Sequence, residues 1–137
     1  MRSTIIIATI LATVLPFAAN AQSYRAVNSM DVVPLGQSTF EVIRSGGMGP
    51  RGVWCAAADY AENRLGTRGR IYISQGSAPS RSVAGQKSVI FTTDPASLSQ
   101  APSKSLTLSM TKVGVGLPVD HAIQFCRPDD YEPGISR

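Results

Sequence analysis

The sequence predicts an α+β domain in which two helices cover one face of an antiparallel sheet of about four strands. Three observations support this class: one long segment repeats apolar residues at helical spacing, several short segments have the pattern of strands, and the two cysteines fall in the two predicted helices. The predicted order is strand, helix, strand, strand, strand, helix. The 137 residues are 43% hydrophobic and 16% charged, which is typical of one folded domain and excludes a multidomain enzyme.

The first 21 residues have the features of an export signal. Arg2 precedes an apolar run over residues 5–19, and the small residues Ala19 and Ala21 suit cleavage after Ala21. The run is shorter than the roughly 20 residues that cross a bilayer, so we expect cleavage without a remaining transmembrane anchor. We therefore expect a soluble protein in the periplasm or secreted from the cell. The predicted parts after the signal peptide (1–21) are a loosely held arm (22–36), a single globular domain (37–127) and a flexible tail (128–137).

The predicted arm ends in an apolar stretch over residues 32–36 that suits an edge strand. The first strand of the domain is predicted over residues 38–44, because Phe40 and Val42 fall on one face. The glycine-rich residues 46–49 end this strand.

A long helix is the next predicted element. Pro50 suits its first turn, where the missing N–H is no loss, and Gly66 suits its C-terminal end. Asp59 and Asn63 are predicted to point away from the core. The apolar residues that recur at helical spacing are Trp54, Ala57, Ala58, Ala61 and Leu65. Trp54, the only tryptophan, is predicted to anchor the core rather than to bind a ligand.

Three further strands follow the helix, and the last of them alternates most clearly. Its residues Leu106, Leu108 and Met110 are separated by serine and threonine, as in a strand with one buried face. Consecutive strands joined by loops of about 11 to 13 residues, without a helix between them, suit antiparallel pairing. The three predicted strands cover residues 70–74, 88–93 and 105–112.

A short helix carries the second cysteine, because Val119, Ala122 and Ile123 lead to Cys126 at helical spacing. Exported proteins with an even number of cysteines usually pair them, so Cys55 and Cys126 are predicted to form a disulfide that joins the two helices. The alternative is a free catalytic or metal-binding thiol, but the single histidine provides few partners for one. We expect neither a metal nor a cofactor.

The net charge is +4, and basic residues concentrate in the middle of the chain. Between residues 64 and 112, seven basic residues face one acid, Asp94. Such a segment favours an anionic partner, for example a lipid headgroup, an acidic polysaccharide or an acidic protein, although a solvated surface is the alternative. Nucleic acid is not expected as a partner, because export separates the protein from the nucleic acids of the cytoplasm. The candidate binding residues are Arg51, Arg64, Arg68, Arg70 and Arg81.

Two further features have both a functional and a structural interpretation. The glycines of residues 46–52, together with Arg51, precede a helix and form a candidate anion site, but glycines at this position are also ordinary turn residues. His121 is the only imidazole, so a serine or cysteine hydrolase would have to use it as general base. It lies opposite the apolar stripe of the short helix, as an exposed surface residue would.

Four stretches of the sequence resemble small exported bacterial proteins of unknown function. The stretches are Trp54-Cys55-Ala56-Ala57-Ala58-Asp59-Tyr60-Ala61, Leu65-Gly66, Arg70-Ile71-Tyr72-Ile73 and Ile123-Gln124-Phe125-Cys126. The resemblance covers residues 38–127. It implies paired cysteines and a periplasmic location, and it provides no activity or catalytic residue to transfer.

Together these observations favour a monomeric, non-catalytic binding module for an anionic or protein partner in the periplasm. One alternative is a small hydrolase that uses His121 as general base with a serine from a loop. Another is a structural protein of the envelope. No catalytic residue is predicted for the leading hypothesis.

Overall fold

A computed structural model describes residues 22–127, which form a six-stranded antiparallel sheet packed against two helices. The strands are β1 (Tyr24–Arg25), β2 (Asp31–Pro34), β3 (Thr39–Ile43), β4 (Arg70–Pro79), β5 (Lys87–Thr92) and β6 (Gly116–Pro118). The helices are α1 (Pro50–Asn63) and α2 (Val119–Ala122), with 3-10 turns at Pro95–Ser97 and Ile123–Cys126. The order across the sheet is β1-β2-β3-β5-β4-β6. The α+β class and the antiparallel sheet are confirmed, whereas the prediction of about four strands is wrong.

The core lies between α1 and one face of the central strands. Alternation along β3 turns Phe40 toward α1, and Phe40 is opposite Phe91 of β5. The ring of Trp54 meets Phe91 edge-on with 4.9 Å between centroids, and the Tyr60 ring lies 4.6 Å from that of Phe40. The aromatic side chains of α1 thus pack directly on the two central strands, and Trp54 is fully buried.

Helix α1 begins at Pro50, and the chain turns away at Gly66, whose φ of +64° favours glycine. These ends agree with the prediction. The prediction that Asp59 points away from the core is wrong, because this residue is only 6% exposed. Its carboxylate accepts hydrogen bonds from the Val27 N–H at 2.8 Å and from the Asn63 side chain at 2.6 Å. The helix is therefore covered on this side as well.

The covering segment belongs to the N-terminal stretch (22–36) that was predicted to be a loosely held arm. It forms strands β1 and β2, and β2 pairs with β3. Met30 and Val32 are buried in the core, and the Asn28 side chain donates to the Gly52 carbonyl oxygen at 2.8 Å. Strand β1 is one edge of the sheet, and β2 lies between β1 and β3, so the segment contributes two strands where a single edge strand was predicted.

The predicted strand over residues 105–112 is wrong. Residues that follow 105–112 in the chain lie beside β4 instead. The Ile73 N–H of β4 donates to the Val115 carbonyl oxygen, and β4 pairs with β6. Serine hydroxyls also take backbone N–H groups within the segment, as when Ser109 Oγ accepts from the Thr111 N–H at 3.1 Å. The segment therefore has alternation without a partner strand.

The predicted disulfide is confirmed and joins the two helical regions. Cys55 of α1 is bonded to Cys126 of the 3-10 turn after α2, with 5.0 Å between the Cα atoms. Within residues 22–127, no helix is long and apolar enough to cross a membrane. The predicted signal peptide (1–21) and tail (128–137) lie outside the described residues.

Candidate functional site

An apolar cavity of about 240 Å³ lies beside Trp54. Strand β6, helix α2 and the segment of residues 105–111, here called the rim segment, surround it. Its apolar lining consists of Trp54, Leu106, Leu108, Val115 and Leu117, and its polar lining consists of Ser105, Thr107, Ser109 and His121. We refer to it as the Trp54 pocket.

Two hydrogen bonds hold the rim segment in place without strand pairing. The indole N–H of Trp54 donates to the Ser109 carbonyl oxygen at 2.7 Å, and the Ser77 N–H donates to the Met110 carbonyl oxygen at 2.8 Å. Leu108 is half-buried against the core, whereas Leu106 is fully exposed to solvent. A large apolar side chain therefore stands in water next to an apolar pocket.

His121 lies at the polar side of the same pocket, and its side chain is exposed as predicted. Its ring meets Phe125 edge-on, with 5.7 Å between centroids. The hydroxyls of Ser105 and Ser109 each lie 3.5 Å from a threonine hydroxyl of the rim segment. Among the described residues, no hydrogen bond links a serine to His121, so the hydrolase hypothesis gains no pair of nucleophile and base.

The arginines predicted to bind an anionic partner lie in different parts of the surface. Arg51, at the start of α1, has its guanidinium 5.6 Å from the centroid of the Phe125 ring. Arg64, after the end of α1, lies 5.1 Å from the centroid of the Tyr24 ring. A helix of 14 residues is about 20 Å long, so these two arginines cannot contact one small anion.

The other three predicted arginines each have a partner within the protein. Arg68 pairs with Glu62 at 3.3 Å and lies 4.0 Å from Asp120. Arg70 donates to the Gly116 carbonyl oxygen, and Arg81 donates to the Gln75 side chain, both at 2.8 Å. A role for any of them in binding a partner remains a prediction.

A second cleft, of about 450 Å³, lies where β3 ends and β5 begins. It is lined by Arg44, Gln86, Lys87 and the turn of residues 45–48, and this lining contains no acidic residue. Neither Arg44 nor its pairing with Lys87 was among the predictions from the sequence. The antiparallel pairing of β3 with β5 places the end of β3 beside the start of β5. The sequence alone does not show that these two strands are neighbours.

Glu41, which was not among the predicted site residues, has a side chain that is fully buried on the sheet face opposite α1. Its carboxylate accepts hydrogen bonds from the hydroxyls of Ser80 and Ser88, both at 2.9 Å, and from the backbone N–H groups of Arg81 and Ser82. Burial alone would raise the pKa of Glu41, but these donors hold the pKa below its ordinary value. Glu41 therefore fastens the β4–β5 hairpin loop to strand β3.

Among residues 22–127, no three histidine, cysteine or acidic side chains come together to hold a metal ion. Comparisons with protein-family models, with curated proteins and with solved structures found no match to this chain.

Proposed function

We propose that this protein is a non-catalytic binding module that acts after export and takes an apolar side chain of a protein partner into the Trp54 pocket. The observation that carries the proposal is the fully exposed Leu106 beside an apolar cavity of about 240 Å³. Exposed apolar residues next to a well-formed pocket are typical of contact sites in which a few anchors supply most of the binding energy.

The size of the pocket favours a single side chain. Drug-sized ligands occupy sites of about 300–1,000 Å³, whereas a cavity of about 150 Å³ already holds benzene. The pocket lies between these limits. A small ligand inside it would leave Leu106 in water, but a protein surface would cover Leu106 and fill the pocket at once.

The polar residues of the lining can orient a bound partner through hydrogen bonds. Ser105, Thr107 and His121 stand beside the apolar wall and offer hydrogen-bond donors and acceptors to a partner backbone. Pockets with mainly apolar walls and a few polar groups are the usual form of a specific binding site. Binding also explains why Leu106 remains exposed in the free protein.

The location is part of the same proposal. The Cys55–Cys126 disulfide is of a kind that persists in oxidising compartments outside the cytoplasm. The apolar run near the N terminus, with small residues before the expected cleavage position, has the features of an export signal and supports the same location. We propose a periplasmic or secreted location on these two grounds.

The proposal is tested by selecting peptides from a random display library against the exported chain, with its disulfide intact. We expect selected peptides to share an apolar anchor residue and to bind Leu106→Ser at least about tenfold more weakly, as for a contact hot spot. The control is Val27→Ser, which changes another exposed apolar residue away from the pocket. Its affinity should equal that of the wild type.

Three other results would contradict the proposal. Peptides that bind Leu106→Ser and the wild type equally would place the contact elsewhere, and a failed selection would favour a structural envelope protein. Turnover of esters or peptides that is abolished by His121→Ala would favour the hydrolase hypothesis.

A further inference from the structure

We propose that the cleft between Arg44 and Lys87 is an anion-binding site that takes a phosphate group. This site shares no residue with the Trp54 pocket, so it goes beyond the proposed function and does not depend on it. It also differs from the arginine set selected from the sequence, because it is built from the ends of two paired strands.

The backbone holds the two cations side by side. Arg44 directly follows β3, Lys87 begins β5, and the Arg44 N–H donates to the Lys87 carbonyl oxygen at 2.8 Å. Within residues 22–127, neither side chain forms an ion pair. The closest acid along β3, Glu41, already accepts four hydrogen bonds from the hairpin and β5. The cleft therefore has positive charge that no carboxylate in its lining neutralises.

The Arg44 guanidinium has donors that the protein does not use. Its Nη1 donates to the Ser77 hydroxyl at 2.9 Å, whereas its buried Nε has no hydrogen-bond partner among the described residues. Guanidinium groups bind phosphate and carboxylate through two parallel N–H groups of one edge. Nε belongs to an edge of this kind, so a bound oxyanion would supply the acceptor that Nε lacks within the described residues.

The glycine turn on the other side of the cleft leaves space for a ligand. Gly46 and Gly47 have φ values of +63° and +69°, which favour glycine, and a Cβ at either position would meet nothing within 4 Å. The volume of about 450 Å³ falls in the usual range for ligand sites. A phosphate group, with a charge of about −1.5 to −2 at neutral pH, matches two cations better than a single carboxylate does.

The test is a titration of the 15N-labelled exported chain with inorganic phosphate at constant ionic strength, followed by the amide signals of Gly46, Gly47 and Lys87. We expect saturable shifts at these residues. Lys87→Gln should weaken phosphate binding about tenfold, as expected for the loss of a charge-assisted hydrogen bond. The matched control is Lys104→Gln, which removes the same charge from an exposed residue outside the cleft and should leave the affinity unchanged.

A second arm distinguishes a soluble phosphate compound from a lipid headgroup, by sedimentation of the protein with phosphatidylglycerol or phosphatidylcholine vesicles. Saturable binding of inorganic phosphate that depends on Lys87 assigns a soluble ligand. Binding only to phosphatidylglycerol vesicles, again dependent on Lys87, assigns a headgroup. Shifts that do not saturate, or equal binding by Lys87→Gln and Lys104→Gln in both arms, would overturn the proposal.

Discussion

The indole N–H of Trp54 donates a 2.7 Å hydrogen bond to the carbonyl oxygen of Ser109, 55 residues away in the chain. The same ring packs edge-on against Phe91 in the core. One side chain thus anchors the centre of the domain and ties the rim segment to it. Leu106 lies three residues before Ser109, in the segment that this bond joins to the core.

We predict that Trp54→Phe lowers the free energy of unfolding by about 1–3 kcal/mol, because the Ser109 carbonyl loses its donor and the smaller ring leaves a gap. The measurement is urea denaturation followed by circular dichroism. Faster amide exchange in the rim segment should accompany the loss. A variant as stable as the wild type, with unchanged exchange, would show that the bond does not hold the segment.

The disulfide between Cys55 and Cys126 should stabilise the domain strongly. It closes a long loop, for which chain entropy predicts a contribution of about 4 kcal/mol. We expect the double variant Cys55→Ala with Cys126→Ala to lose free energy of unfolding of this order in denaturant titrations. Mass spectrometry of the non-reduced protein should find the two cysteine peptides joined, and an alkylatable thiol in exported material would contradict the pairing.

Glu41 should make stability depend on pH in the acid range. Because its pKa is held below the ordinary value of 4.5 in the folded state, its contribution is present above that value and is lost as the pH falls through the folded pKa. We predict that Glu41→Gln lowers the free energy of unfolding at pH 7 by about 1–3 kcal/mol and reduces its fall in acid.

The control for this prediction is Glu62→Gln, which removes a carboxylate whose only ion pair among the described residues is with the exposed Arg68. It should change stability by less than about 1 kcal/mol at pH 7, as surface ion pairs usually do. Equal loss in the two variants would mean that the hydrogen bonds to Glu41 add nothing beyond an ordinary surface charge.

The N-terminal strands should separate from the domain when Asp59 loses its carboxylate. We predict that Asp59→Ala speeds trypsin cleavage after Arg25, whose side chain is already exposed, because the Val27 N–H loses its acceptor and the nearby backbone is held less firmly. Asp59→Asn keeps an oxygen acceptor and should be cleaved more slowly. Equal cleavage of wild type and Asp59→Ala would show that other contacts, such as that of Asn28 with Gly52, hold this segment.

Sequence patterns predicted elements whose apolar residues face the core. Phe40 and Val42 marked a strand, and the limits at Pro50 and Gly66 marked helix α1, because period and turn residues are local properties. The pairing of Cys55 with Cys126 followed from the number of cysteines and the expected export. These features do not depend on which segments meet in space.

The wrong predictions all depend on distant neighbours. Leu106, Leu108 and Met110 alternate like a strand, but β6 occupies the place beside β4. Leu106 and Leu108 line the Trp54 pocket instead. Asp59 is buried because residues 26–30 cover it. The pair of Arg44 and Lys87 required the register of β3 with β5, which the sequence does not show.

The most direct test of the proposed function is a titration of Trp54 emission with a selected peptide that contains no tryptophan. Since Trp54 is the only tryptophan and lines the pocket, an apolar anchor that enters should change its emission in a saturable way. The matched control is the same peptide with its anchor changed to alanine, which should bind at least about tenfold more weakly. Equal affinity of the two peptides, or binding without any change in Trp54 emission, would contradict the account.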